Sequence, residues 1–166
     1  FLRAETQRLD SFIKVFACEK TYQAELGKYK LKCRIDRIDE TQEGYEIFDY
    51  KTGSKPKQVN TKTIEEIIDE NLDRASIKWA VGSLQLPLYK FLFENNEHKK
   101  IGKCAIYSIK DAQMFSFAKD CSDKVYDDCM TALKYILDEI NSGDFFEFDE
   151  GDIGECGHCP FVYICR

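Results

Sequence analysis

The chain lacks several things, and each absence narrows what it can be. It has no surplus of positive charge: 24 Lys and Arg face 30 Asp and Glu, for a formal net charge of −6. That argues against a protein that grips nucleic acid by bulk charge alone. It leaves room for a local metal site, because acids gathered there contribute to the sum. No apolar run is long enough to cross a bilayer, so no transmembrane helix is expected and no membrane partner. No signal-peptide pattern opens the chain, and a cytoplasmic location is expected. There is no internal repeat and no low-complexity tract. Histidine is scarce, with 2 residues, and His98 sits alone in a polar loop with no role to assign.

What remains is an ordinary globular balance. The 166 residues are 43% hydrophobic and 33% charged, enough for one domain with a real core. We read residues 1–166 as that single domain, with 154–166 as a cysteine-rich tail. The chain opens on Phe1 and runs directly into helical periodicity, which reads as a domain excised from a larger protein.

The most informative stretch is Tyr29 to Thr52, YKLKCRIDRIDETQEGYEIFDYKT. It contains two strand-like runs around a turn at Thr41-Gln42-Glu43-Gly44. Leu31, Cys33 and Ile35 alternate with Lys32, Arg34 and Asp36, the period of a half-buried strand. In the second run Phe48 and Tyr50 lie on one side, and Ile47, Asp49 and Lys51 on the other. Folding about the turn centre sets Asp36 opposite Asp49, and Lys51 joins Asp49 on one face. A slip of one residue would send Asp36 to the other side.

Two close carboxylates repel, and a divalent cation relieves that by sharing their oxygens. Magnesium suits such a pair, because it takes one or two protein carboxylates and completes its shell with water and phosphate. A bound metal lowers the pKa of a water and polarises a phosphoryl oxygen. Lys51 is a compact cation that can orient the water or balance charge on phosphorus. The alternative is a surface hairpin with ordinary charge pairs. Lys28, Lys30, Lys32, Arg34, Lys51, Lys55 and Lys57 form basic clusters around the hairpin. They read equally as a nucleic-acid contact or as solvated strand edges.

Elsewhere the pattern is coarser. Leu2 to Phe16 has helical spacing, with Leu2, Leu9, Phe12, Ile13 and Phe16 on one face. Glu19 to Leu26 reads as a strand that turns at Gly27-Lys28 and completes a three-stranded meander. Asn60 to Trp79 reads as a polar connection, with a capping-box helix starting near Thr63. Ser83 to Glu94 is a helix with Pro87 near its first turn, and Gln85 and Tyr89 share a face. Lys103–Ile109 and Gln113–Ala118 look like strands. Ser122–Asn141 is a long helix, with Val125, Cys129, Leu133, Ile136 and Ile140 inward and Gly143 at its end. The order helix, three strands, helices, strands, helix implies an α+β or α/β sandwich with a mixed central sheet.

CRIDRID followed by FDYKTG resembles the GxxD and DYK motifs of the RecB/AddB-type branch of the PD-(D/E)XK nucleases. The resemblance implies that Asp36 is the first metal-binding acid, Asp49 the second and Lys51 the catalytic lysine. Cys33 stands where that family usually has glycine. QLPLY resembles the QxxxY motif of the same branch, in which both side chains line the site, here Gln85 and Tyr89. Glu5, on the helix before the sheet, is a further candidate metal ligand. The implied fold is a restriction-endonuclease-like αβββαβ core.

Eight cysteines in a chain neither tiny nor visibly secreted do not imply a disulfide framework. Cys18, Cys33, Cys104, Cys121 and Cys129 are scattered, and are expected to be buried reduced thiols. Cys156, Cys159 and Cys165, in ECGHCPFVYICR, have a spacing suited to zinc or an iron–sulfur cluster. His158 would have to turn back to act as a fourth ligand. The tail resembles the C-terminal cysteines of AddB-type nucleases and of CRISPR-associated four-cysteine exonucleases, and so implies three ligands of a [4Fe-4S] cluster. The family's fourth cysteine comes from upstream, and Cys18 is the N-terminal candidate.

The motifs together imply a magnesium- or manganese-dependent DNA exonuclease domain of a helicase–nuclease that processes broken ends. Its partners would be linear DNA and a helicase domain or subunit. The competing readings are a catalytically silent nuclease-like scaffold or DNA-binding module, and a CRISPR-associated exonuclease-like protein.

Overall fold

The computed structural model describes residue 6 and residues 10–53, 57–70, 72–117 and 123–143. Its frame is one five-stranded sheet in the order β1-β2-β3-β4-β5. The strands are β1 (Phe12–Leu26), β2 (Tyr29–Thr41), β3 (Gly44–Lys51), β4 (Ile101–Ser108) and β5 (Gln113–Ser116). The first three form an antiparallel meander, β4 runs parallel to β3, and β5 returns antiparallel. Parallel β3 and β4 require a crossover. It is built from α1 (Thr61–Glu70), α2 (Arg74–Val81) and α3 (Gln85–Glu97). A long α4 (Asp123–Ser142) follows β5. The result is a mixed sheet flanked by helices, of the restriction-endonuclease-like type.

The β2–β3 turn is tight and has a local cause. Thr41 and Gly44 pair across it, and Gly44 takes φ +124, a backbone that glycine adopts most cheaply. The Thr41 hydroxyl accepts from the Glu43 N–H at 3.3 Å and donates to the Gly44 carbonyl at 3.0 Å. The register symmetric about Gln42 and Glu43 is therefore fixed by the turn itself.

Helix α3 lies across β1, β2, β3 and β4. Ile35, Ile38, Ile47, Leu92 and Phe93 are fully buried in the layer between. The inward set of β2 runs Leu31, Cys33, Ile35 and then Ile38, so the strand changes phase near Asp36. Opposite that point in β1, between the pairs Cys18–Arg37 and Lys20–Ile35, Glu19 takes φ +52. A left-handed residue inside a strand kinks it locally, here without the register shift of a bulge.

Several expectations need correction. The helix expected over Leu2–Phe16 does not reach its end: Phe12–Phe16 is strand, and β1 begins seven residues before Glu19. Phe12, Ile13, Val15 and Phe16 are aromatic or β-branched and suit a strand, and pairing with Ile38–Thr41 decides the matter. Asn60–Trp79 is no loose connection but carries α1 and α2. Helix α1 starts at Thr61 rather than near Thr63, with the Asn60 side chain accepting from the Thr63 N–H at 3.3 Å. Cys18 is exposed, not buried, because it lies on the edge strand; Cys33 is half-buried, and Cys104 and Cys129 are buried. Burial pushes the Cys33 thiol up to about 11. Burial, with the Asp128 charge, pushes Cys129 up to about 12, so both stay protonated and inert. Ile140 is 46% exposed, and Ala132 takes the inward position expected of Leu133. Glu5, Cys121, Cys156, Cys159 and Cys165 lie outside the described residues.

Candidate active site

Asp36, Asp49, Lys51, Gln85 and Tyr89 meet where β2, β3 and the start of α3 converge. The β2–β3 ladder ends at the Arg37–Phe48 pair. Beyond it, Asp36 replaces a ladder carbonyl: its Oδ2 accepts the Tyr50 N–H at 2.9 Å. That bond pins the Asp36 carboxylate beside β3, within electrostatic reach of Asp49. The end of β3 is held by β4, since Lys51 pairs with Ser108 and its carbonyl accepts the Ile109 N–H at 2.9 Å.

Asp49 is 2% exposed. Its Oδ1 accepts from Gln85 Nε2 at 2.7 Å and from the Tyr89 hydroxyl at 3.3 Å. Gln85 also donates to the Tyr89 hydroxyl at 2.6 Å, which closes a three-membered network. The helix places the two residues one turn apart, and the Ser83 hydroxyl supports the first turn by accepting the Gln85 N–H at 3.2 Å. Lys51 Nζ stands 2.9 Å from Asp49 Oδ2. Lys51 is thus the charged partner of the buried Oδ2, which takes no bond from Gln85 or Tyr89. The Lys51 side chain is 42% exposed and can reach outward.

Burial pushes the Asp49 carboxyl above its ordinary value; Lys51 pulls it back and Asp36 pushes it further up. The Tyr89 phenol is pushed up to about 12, chiefly by burial, with the Asp49 and Asp36 charges adding to the shift. Tyr89 is thus a standing donor to Asp49.

This donor set fits a divalent cation. A buried carboxylate offset by one lysine and repelled by a second acid is an electrostatic deficit that a further cation reduces. Among the described residues no cluster of three acidic, His or Cys ligands occurs. Asp36 and Asp49 fit a cation that takes two carboxylates and fills the rest of its shell with water or phosphate.

Sequence reasoning missed two features nearby. Arg37 and Asp39 project to the other face of the hairpin. Arg37 Nε donates to Asp39 Oδ1 at 2.7 Å, and Arg37 also donates to the Tyr50 hydroxyl at 3.2 Å. An Arg two residues before an Asp in one strand was the available signal. Trp79 is the second, in the stretch read as a polar connection.

Comparison with known proteins bears on the whole chain. The model of the PD-(D/E)XK nuclease superfamily matches residues 1–166. The crystal structure of SSO0001 is similar over 99% of this chain and 66% of its own length, at 16% identity and a TM-score of 0.43. No curated protein matches the sequence. The family match covers every element described above, and the chain belongs to the PD-(D/E)XK nuclease superfamily, whose chemistry is metal-dependent phosphodiester hydrolysis.

Proposed function

We propose that the domain is a magnesium- or manganese-dependent DNA exonuclease with Asp36, Asp49 and Lys51 as its catalytic centre. One observation carries this reading: the buried Asp49 carboxylate is paired with Lys51 through Oδ2 and lies within electrostatic reach of Asp36. Asp36 and Asp49 would hold the metal, which supplies an activated water and a polarised phosphoryl oxygen when bound. Lys51 orients the attacking water and balances charge on the phosphorus. Gln85 and Tyr89 fix the Asp49 carboxylate through Oδ1, with Lys51 at Oδ2. The Asp49 carboxyl must be ionised to bind, and Lys51 opposes the burial that would keep it protonated.

The motif order CRIDRID, FDYKTG, QLPLY and ECGHCPFVYICR supports a place in the RecB/AddB-type branch. In that reading the domain works with a helicase on broken DNA ends in the cytoplasm, in double-strand break repair and recombination. Cys156, Cys159 and Cys165 contribute three ligands of a [4Fe-4S] cluster that ties the C-terminal segment to the domain. Glu5 is the further candidate ligand of the catalytic metal.

The test is cleavage of end-labelled single- and double-stranded DNA with magnesium, manganese or EDTA, with Lys51→Ala as control. Loss of a transition-state cation should lower the rate by about a thousandfold. A folded Lys51→Ala protein that cuts like the parent removes Lys51 from the chemistry.

A further inference from the structure

The last turn of helix α2 carries the only tryptophan of the chain, Trp79, which is 70% exposed. An isolated exposed hydrophobic side chain needs no explanation. Trp79 differs because a cation is fixed against it. Lys57 Nζ lies 4.6 Å from the ring centroid and donates to the Lys78 carbonyl at 3.3 Å. Its aliphatic stem is held as well. Gly82 adopts φ +68, and a Cβ there would stand 2.9 Å from Lys57 Cβ and 3.1 Å from Lys57 Cδ. The missing side chain of Gly82 is therefore the space in which Lys57 lies. One helical turn before Trp79 are Ala75 and Ser76, both small, which leave the ring unobstructed on that side.

The position connects to the catalytic centre through consecutive residues. Gly82, which seats Lys57, precedes Ser83, which supports Gln85, which holds Asp49. The crevice lined by Lys57, Ser83, Leu86 and Ile106 has about 20 Å³, room for one water and not for a base. A base at Trp79 would lie on the exposed ring.

We infer that Trp79, with Lys57 beside it, is a stacking station for an unpaired nucleotide on its way to Asp49. An aromatic face takes any base, and a neighbouring ammonium takes the adjoining phosphate. A duplex keeps its bases stacked inside and offers the ring only its edges, so the station favours unpaired strands. This rests on the nuclease reading for its direction toward Asp49, but binding at Trp79 requires no cleavage.

The experiment uses that independence. With a single tryptophan, intrinsic fluorescence reports on this site alone. An oligothymidylate of about fifteen nucleotides, titrated in EDTA, should quench the emission saturably, while a duplex of equal length should not. Trp79→Ala should weaken oligothymidylate binding by about tenfold by anisotropy, and Trp79→Phe should restore most of it. Lys57→Ala should flatten the salt dependence by roughly one phosphate contact. Saturated binding without quenching, or Trp79→Ala binding like the parent, overturns the station. So does a Trp79→Ala protein with unchanged DNA binding but altered self-association, which assigns the face to a protein contact. A protein that quenches yet never cuts with any metal keeps the station and overturns the nuclease reading. One that cuts but does not quench does the reverse.

Discussion

The β2–β3 hairpin buries two aspartates, each beside a cation two residues away, and they behave oppositely. Asp39 is fully buried against Arg37. Burial works against the Arg37 charge, but the bonds to Asp39 and Tyr50 more than offset it and hold the guanidinium above its ordinary value. Asp49 is almost as deeply buried against Lys51. Yet its carboxyl is pushed above its ordinary value, because burial outweighs the pull of Lys51 and the Asp36 charge adds to it. Arginine is a planar fork that fits a carboxylate, whereas lysine is a mobile point charge. Burial next to a cation is therefore no mark of a site by itself. The mark is a carboxylate whose partner leaves it incomplete and whose other neighbour is a second acid.

The sharpest way to break this contrast is to remove each acid in turn. Asp39→Ala leaves Arg37 half-buried without its carboxylate and should cost about 3–5 kcal/mol of stability. Urea denaturation would read that as a large drop in midpoint. A loss below about 1 kcal/mol, in the range of an exposed pair, would put Asp39 in a class with surface ion pairs and erase the distinction.

Asp49→Asn should do the reverse and raise stability while abolishing cleavage. The asparagine Oδ1 can still accept from Gln85 and Tyr89, and no charge is left to bury. The pH dependence carries the sign. An unfolded aspartate titrates near about 3.9, and native Asp49 titrates above it. Between those values the native state holds a proton that the unfolded chain has lost, so stability falls as pH rises through that window. Asp49→Asn should remove that fall. Magnesium should raise the melting temperature of the parent, because it binds only the folded ionised site, and should leave Asp49→Asn unmoved. Parallel pH curves for parent and variant, or an equal magnesium shift in both, would sink the account of Asp49.

Much of this was legible in the sequence because the hairpin is local. Its turn chemistry fixes the register, and the register fixes which residues share a face; nothing distant had to be known to bring Asp36 near Asp49. The placement of Gln85 and Tyr89 on one face follows equally from helical period. What failed was what tertiary pairing decides. Phe12, Ile13 and Phe16 fit a helix face and a strand alike, and only the partner strand tells them apart. Cys18 looked like a core thiol because the sequence does not reveal that β1 is an edge. Asn60–Trp79 looked like a polar connection with one helix near Thr63 because polar residues separate the apolar positions, among them Ile64, Ile67, Ile68 and Ile77, through which its two short helices meet the core. The left-handed Glu19 left no trace, since neither glycine nor asparagine stands there to mark it.

That residue allows the smallest and most local test. Glu19 faces Asp36 across the β1–β2 ladder and occupies a backbone region in which a non-glycine residue costs about 1–2 kcal/mol. Its ion pair with Arg34, at 2.9 Å, is between side chains that are both more than half exposed and returns little. If the kink is what shifts the phase of β2 and turns Asp36 toward the Tyr50 N–H, the left-handed backbone is imposed by that arrangement and the side chain is incidental. Glu19→Gly should then relieve the strain, offset in part by glycine's greater freedom when unfolded, and gain up to about 1 kcal/mol without loss of magnesium binding. Glu19→Val, which resists the left-handed region, should lose stability and weaken magnesium binding together, because straightening β1 would move Asp36. A Glu19→Val protein that is as stable and binds magnesium as well as the parent would show that Asp36 is placed by β3 alone.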